Sequence, residues 1–416
     1  MESKAIFELG LGIKKPWYIK EVQLSTKQNS KQKEMHIEID FHRGSKFIDK
    51  TGEECSVYDT SERSWRHLNF FEYPCYIHAR LPRIIDKEGN VKTIEVPWAR
   101  AGSGFTLMFE AFAMLLIESE MPVNKAANVL RVYAQRLWNL FNYWVEEAKS
   151  KEDLSEVKII GIDETSRKKG HSYITVAVDM ENRKVIDVQE GKDSETVGKI
   201  KAHIESRGGK SESIEQVCMD MSPAFISGTG ENFPKAQITF DKFHVLQMSQ
   251  NAMDELRKLE RKEYLSLKGY KYLFLKNQDS LTKEEEMQLT DFVFAYPRLG
   301  AGYRFKELLK EFYNIPDPEE AEGFLAYWCD AVQETDILSF KNLAKTIKAH
   351  WTGIINYTKS KLTNGILEGI NNKIQLAIGT ILWKRRARGY RNTRNFINMI
   401  NFICGKLSFS YPQYFT

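Results

Sequence analysis

The chain has 416 residues, enough for roughly two or three domains, and its 42% hydrophobic and 12% aromatic content excludes a mainly disordered polymer. A formal net charge of +4 is too small for a uniformly basic surface, so any affinity for a polyanion has to come from charge gathered in one segment. Five dispersed cysteines without CxxC spacing exclude a disulfide framework; the N-terminus lacks the layout of a signal peptide, and Glu110 breaks the longest apolar run, so a cytoplasmic protein without membrane spans is expected.

Residues 1–104 read as a small β-rich domain, with strand alternation in His36 to Phe41 and Tyr76 to Leu81 and short strands throughout. Two turns look alike, Asp49-Lys50-Thr51-Gly52 and Asp86-Lys87-Glu88-Gly89. In each, Asp hydrogen-bonds its own backbone to begin the bend and Gly supplies the positive φ. At residues 105–150 the period becomes helical. Thr106 to Ser119 forms one helix, Val123 to Leu130 a short second one after Pro122, and Leu137, Trp138, Phe141 and Trp144 mark the inner face of a third. This is the outline of a helix-turn-helix whose last helix, carrying Arg136, would enter a major groove, although a generic three-helix packing unit has the same outline.

Residues 151–262 have a different grammar. Val157 to Asp163 is a near-continuous apolar run ending in an acid, as suits a strand buried on both faces. Two further strands, a helix, a strand ending at Asp220, a second helix and a strand ending at Asp241 follow. Three antiparallel strands followed by helix, strand, helix and strand is the order of a ribonuclease H-like mixed α/β sheet, in which carboxylates at neighbouring strand ends meet at one edge. The sheet is expected to be interrupted by an acid-rich helical insertion at 263–349, with breaks at Pro297, Pro316 and Pro318, and completed by residues 350–416.

That last segment is nearly free of acids. From Ile337 to Thr416 there are thirteen Lys and Arg and a single carboxylate, Glu368. Leu367, Ile370 and Ile374 recur at helical spacing and define a buried face, beside which Glu368, Asn371, Asn372 and Gln375 form a polar stripe. An acid retained in a basic footprint calls for a cation. Asp163, Asp220 and Glu368 at one edge would repel one another unless a metal sat among them, and hard oxygen ligands select Mg²⁺ or Mn²⁺ for phosphoryl transfer. Taken singly, an acid that ends a strand is commonly a solvated turn residue.

Together, Trp65-Arg66-His67-Leu68, Val96-Pro97-Trp98-Ala99-Arg100, Gly161-Ile162-Asp163-Glu164, Asp220-Met221, Asp241-Lys242-Phe243-His244-Val245, Leu367-Glu368-Gly369-Ile370-Asn371 and Arg386 to Asn392 carry a resemblance over nearly the whole chain. The sequence resembles bacterial insertion-sequence transposases of the ISL-three family, which are DDE transposases. The resemblance implies Asp163, Asp220 and Glu368 as catalytic triad and metal ligands, Mg²⁺ as cofactor, double-stranded DNA (terminal inverted repeats and target) as partner, a homo-oligomer in the active complex, and association with the nucleoid.

Asp241, His244 and Asn371 are expected behind the metal ligands, and Arg385, Arg386, Arg388, Arg391 and Arg394 on phosphates, since no nearby acid in the sequence neutralises them. Relatives carry zinc-binding cysteines where this chain has its two Asp-Lys-x-Gly turns, and Cys55 and Cys75 alone cannot build a four-coordinate site, so no zinc is expected. Leu376 to Trp383 is longer than the usual link between the glutamate helix and the basic segment. A catalytically inactive or recruited DNA-binding protein on this scaffold and a ribonuclease H-like nuclease are the competing readings.

Overall fold

The computed structural model describes residues 3–26, 33–49, 51–168, 172–362, 365–380, 390 and 392–411. It forms two compact units, residues 1–144 with 409–416 and residues 145–408.

The first unit begins with α1 (Ser3–Leu11) and continues through β1 (Trp17–Thr26), β2 (Lys33–Phe41), β3 (Lys46–Ile48), β4 (Glu54–Phe70), β5 (Tyr73–Ile85) and β6 (Val91–Thr93). The sheet order is β1-β2-β5-β4-β3 with β6 on β5, and β2–β5 is its parallel pair. Trp17, Phe41, Phe47, Trp65 and Trp98 meet edge to face in the core beneath the sheet, the arrangement that ring quadrupoles favour. Both expected turns form: Asp49 accepts from Thr51 and Glu53 N–H, Asp86 accepts from Glu88 and Asn90 N–H, and Gly52 and Gly89 have φ of 90° and 83°. Lys87 reaches Glu53 and so bridges the two turns.

Two expectations fail here. The strands are not all short, since β4 has 17 residues and β5 has 13; along β4 only Trp65 and Arg66 are buried, so its alternation is too faint to read as one strand. Helix α1 is also unanticipated, because Ile6 and Leu9 face outward and blur its amphipathic period.

Helices α2 (Leu107–Glu118), α3 (Val123–Val129) and α4 (Ala134–Ser150) follow. Thr106 caps α2 by accepting from Phe109 N–H. Glu110, the acid that breaks the apolar run, is fully buried, and it accepts from Arg100 Nε and Trp144 Nε1, both at 2.8 Å. A buried carboxylate persists only when paired in this way, and here it ties α2 to the loop before it and to α4.

In the second unit β7 (Ile159–Lys168), β8 (Ser172–Asp179), β9 (Lys184–Glu190), α5 (Ser194–Ser206), β10 (Gln216–Met219), α6 (Pro223–Asn232) and β11 (Gln237–Phe240) give the order β11-β10-β7-β8-β9. β7, β8 and β9 are antiparallel while β10 joins β7 and β11 in parallel, so the mixed sheet has the expected ribonuclease H-like order. The remaining elements are α7 (Lys242–Glu263), α8 (Lys271–Leu275), α9 (Lys283–Ala295), α10 (Pro297–Phe312), α11 (Pro318–Gln333), α12 (Leu338–Ala349), α13 (Trp351–Ser360), α14 (Gly365–Thr380) and α15 (Thr393–Cys404). Pro297 and Pro318 occupy first helical positions and start α10 and α11, where a missing N–H costs nothing. The helices between 263 and 349 do not stand apart. One apolar core runs from Leu154, Ile162 and Val217 of the sheet layer through Leu256 to Phe340 and Tyr357. The opposite sheet face, with Val176, Val178 and Cys218, is covered by Leu367, Ile370 and Ile374 of α14 and Phe396 and Ile400 of α15.

Side chains take carbonyls at both margins of the sheet: Asn356 Nδ2 donates to Ile238 O at 2.8 Å, and Lys149 Nζ donates to Ile186 O. Among the described residues no helix is long and apolar enough to cross a membrane.

Helix α13 approaches β11 so closely that a Cβ on Gly353 would overlap the ring of Phe240. Gly353→Ala is therefore expected to cost about 1–3 kcal/mol by overpacking. A urea titration should show a lowered midpoint with an unchanged slope, and Phe240→Leu in the same chain should recover part of the loss.

Candidate active site

The site grows from the match between a strand and a helix. Along β7, Gly161 and Asp163 are two residues apart and share a face, spaced by about 6.7 Å. Along α14, Leu367 and Asn371 are four residues apart and also share a face, spaced by about 6 Å. The two repeats nearly coincide. Leu367 lies over Gly161, where a Cβ would come within 2.9 Å of its Cδ1, and Asn371 Nδ2 donates to Asp163 Oδ2 at 2.7 Å. A side chain at 161 would meet Leu367 and Met180 and force them to repack.

Asp163 does not end its strand, as the apolar run suggests. β7 continues to Lys168 and keeps pairing with β8, with Asp163 opposite Val176. Its other neighbour stops earlier, because the β7–β10 ladder ends with Gly161 opposite Cys218. Carrying that register two residues further sets Asp220 level with Asp163, and the β10–β11 register, with Met219 opposite Phe240, sets Asp241 level with Asp220. All three acids then belong to the sheet face that α14 covers.

Burial pushes the Asp163 carboxyl up to about 6, and the nearby charge of Asp220 pushes in the same direction. Opposing these, the carboxylate accepts from Glu164 N–H at 2.8 Å, is attracted by His244, and accepts from Asn371. Asp220 accepts from Ser222 N–H at 3.0 Å just ahead of α6. Asp241 is buried and caps α7 by accepting from Phe243 N–H at 3.1 Å, and His244 Nε2 lies 3.9 Å from its Oδ2. Burial raises the Cys218 thiol well above its ordinary range, with Asp241 and Asp163 adding to the effect. Glu164 points away, with Lys192 Nζ 3.5 Å from its carboxylate.

The fold thus gathers Asp163, Asp220, Asp241, His244 and Asn371. Glu368 is exposed, three residues before Asn371 and so on the same side of α14. Among the described residues, no three His, Cys, Asp or Glu side chains form a group that could hold a metal ion, so Glu368 does not close a three-carboxylate cluster with the two aspartates.

The basic residues divide. Arg385, Arg386, Arg388 and Arg391 lie outside the described residues. Arg394 is engaged: it donates from Nε and Nη2 to both oxygens of Glu146, each at 2.6 Å, while Asn398 donates to the same carboxylate at 2.9 Å. This departs from the expectation of an unneutralised cluster, because the acid arrives from α4, 248 residues upstream. Arg136 is exposed on α4, with its guanidinium 4.3 Å from the Phe105 ring centroid and Nη2 donating to Gly104 O at 3.3 Å. Sequence reasoning assigns Gly161 no role of its own; its signal was a glycine inside an apolar central strand, which marks a close approach.

Residues 160–400 match a family profile described as "Transposase", the DDE type of ISL3, and residues 94–145 match the "Helix-turn-helix domain of transposase family ISL3". The transposase for insertion sequence element IS1001 of Bordetella parapertussis is 25% identical over 359 residues, covering 84% of this chain and 86% of that protein. The transposase for insertion sequence element IS1557 of Mycobacterium tuberculosis (strain CDC 1551 / Oshkosh) is 26% identical over 381 residues, covering 84% and 83%. A chain of the simian T-cell lymphotropic virus intasome, solved with PP2A regulatory subunit B56 gamma, shares 11% identity over 44% of this chain and 67% of its own at a TM-score of 0.17, a likeness too slight to bear on the fold. With its profile match extending over more than half of the sequence, the chain belongs to the ISL3 family of insertion-sequence transposases, DNA-cleaving and DNA-transferring enzymes with a helix-turn-helix for binding DNA.

Proposed function

We propose that Asp163, Asp220 and Glu368 are the catalytic carboxylates, that they hold Mg²⁺ or Mn²⁺, and that the reaction is strand cleavage and strand transfer at terminal inverted repeats. The observation that carries this reading is the Asn371–Asp163 hydrogen bond, which ties the glutamate-bearing helix to the strand of the first aspartate. The two aspartates suit such an ion: Asp163 and Asp220 are hard oxygen ligands, and the strain of a buried carboxyl raised to about 6 beside a second carboxylate is relieved by a divalent cation, with Glu368 joining them only once the ion is bound. When bound, the metal supplies positive charge that activates an attacking oxygen and stabilises the leaving oxygen of a phosphodiester.

The chain's own groups do the positioning. Asn371 fixes the orientation of one Asp163 oxygen and the Glu164 N–H engages the other. Asp241 holds the start of α7 and thereby sets His244 beside the aspartates, behind the ligands. In this division of labour residues 105–150 bind DNA ends behind the β-rich domain of residues 1–104, residues 151–262 with 350–416 carry the chemistry around the 263–349 helices, and Arg385, Arg386, Arg388 and Arg391 contact phosphate in a multimeric complex with both DNA ends and the target.

Asp163→Asn, Asp220→Asn and Glu368→Gln should each abolish Mg²⁺-dependent cleavage while DNA affinity stays within a few-fold, because each removes a ligand with little change of shape. Cleavage at the wild-type rate by any one of them would remove that residue from the site.

A second expectation concerns pH. The folded pKa of Asp163, about 6, lies above its ordinary 3.8, so the folded state binds this proton more tightly than the unfolded state. The ionised group therefore opposes folding above about pH 6, by on the order of 3 kcal/mol, and the opposition fades as pH falls towards 4. Asp163→Asn should raise the thermal midpoint at pH 7.5 in chelator-treated buffer and lose that advantage near pH 4. Added Mg²⁺ should stabilise the wild type more than the variant.

The N-terminal unit should fold without zinc, since Asp49 and Asp86 close its turns by hydrogen bonding. Elemental analysis of the purified protein should find no stoichiometric zinc, and metal that resists chelation would overturn this.

A further inference from the structure

We propose that Phe71, at the tip of the β4–β5 hairpin, is a wedge that stacks on a base of the DNA held by α3 and α4. The inference rests on the reading of those two helices as the DNA-binding pair.

The first observation is conformational. Phe70 pairs with Tyr73, so Phe71 and Glu72 make a two-residue turn. Phe71 has φ 53° while Glu72 is not among the residues with positive φ, the pattern of a turn that favours glycine at its first position. A phenylalanine there is unfavourable for the backbone, and packing within the chain does not compensate, because the side chain is 85% exposed. Among the described residues its ring neighbour is Phe70, 4.7 Å away at 75°, which in turn rests against Phe7 at 5.2 Å. These two rings brace Phe71 from behind and leave its outer face open. A strained, exposed, braced aromatic points to use outside the fold.

The second observation is where the hairpin is fastened. Arg66 N–H donates to Gly104 O at 2.9 Å, Thr106 N–H donates to Arg66 O at 3.1 Å, and the His67 ring bonds the Thr106 hydroxyl at 2.8 Å. These contacts join β4 to the cap of α2. At the tip, Arg131 Nη1 donates to Glu72 O at 3.4 Å. Arg131 lies in the turn between α3 and α4, also at positive φ (55°), with Tyr133 83% exposed beside it in sequence. In a helix-turn-helix the start of the second helix approaches the base edges. The hairpin tip is therefore fastened to the DNA-facing end of the pair, and the arginine at that junction suits a polyanion whose bases also offer π faces. Apolar wedges inserted at a base step are an established way for proteins to distort a duplex.

The experiment compares Phe71→Gly, Phe71→Trp and an α4 double variant, Gln135→Ala with Arg136→Ala, on a duplex carrying the terminal repeat of the protein's own element, with 2-aminopurine substituted step by step. Phe71→Gly should raise the thermal midpoint, because glycine accepts the turn, and yet weaken end binding by about tenfold. The wild type and Phe71→Trp should change 2-aminopurine emission at one localised step, and Phe71→Gly should abolish that change. Unaltered affinity and emission for Phe71→Gly, with binding lost in the α4 variant, would overturn the wedge alone. Binding that survives the α4 variant would overturn the helix-turn-helix reading and the wedge with it. A fall in oligomeric size of DNA-free Phe71→Gly on gel filtration, with emission unchanged, would assign the ring to a second copy of the chain and also overturn the proposal.

Discussion

The second unit depends on one commensurability: four residues of α-helix rise by about 6 Å and two residues of strand by about 6.7 Å. Leu367 over Gly161 and Asn371 on Asp163 use this near-equality at successive steps. Hydrophobic burial of Leu367, Ile370 and Ile374 supplies the adhesion, while the hydrogen bond and the missing Cβ set the sliding position. A polar stripe next to that buried face can then be aimed at a particular strand residue.

The first unit solves a related problem with polar groups. The sheet is joined to the helical segment by the backbone pair between Arg66 and Gly104–Thr106, and α2 is tied to the loop before it and to α4 by the fully buried Glu110. Dispersion alone would let the helices roll on the sheet. Directional bonds from Arg100, Ser103 and Trp144 to one carboxylate restrict that motion, at the cost of burying a charge.

How much of this could be read beforehand follows from the range over which each interaction acts. The α14 face was legible because helical periodicity is local, and the β7 core because a strand covered on both faces becomes continuously apolar. The strand order followed from the sequence of periods, and the two Asp–Gly turns from chemistry confined to four or five residues. The apolar run that stops at Asp163 reads as a strand end, yet the strand continues on the β8 side while β10 stops, and pairing on one side only leaves no mark in the residues themselves. The Glu146–Arg394 pair was hidden by 248 residues of separation, which made the basic tail look wholly uncompensated. The helices after Arg261 resemble a separate insertion because their sequence is rich in acids, yet Leu299, Leu309 and Phe340 share the core of the sheet. Surface composition and core continuity are independent properties.

The side chains on the margins of the central sheet bear on what can pair with it. A bare margin offers a row of carbonyls and amides to any extended segment, including a strand of another copy. Here Asn356 takes Ile238 O on the outer strand at one end, and Lys149 takes Ile186 O on the outer strand at the other. An incoming strand would have to displace a bonded side-chain amide at one margin or a bonded ammonium group at the other. Each margin of the five-stranded sheet is therefore partly occupied by a side chain of the same chain, which hinders extension of the sheet by a further strand.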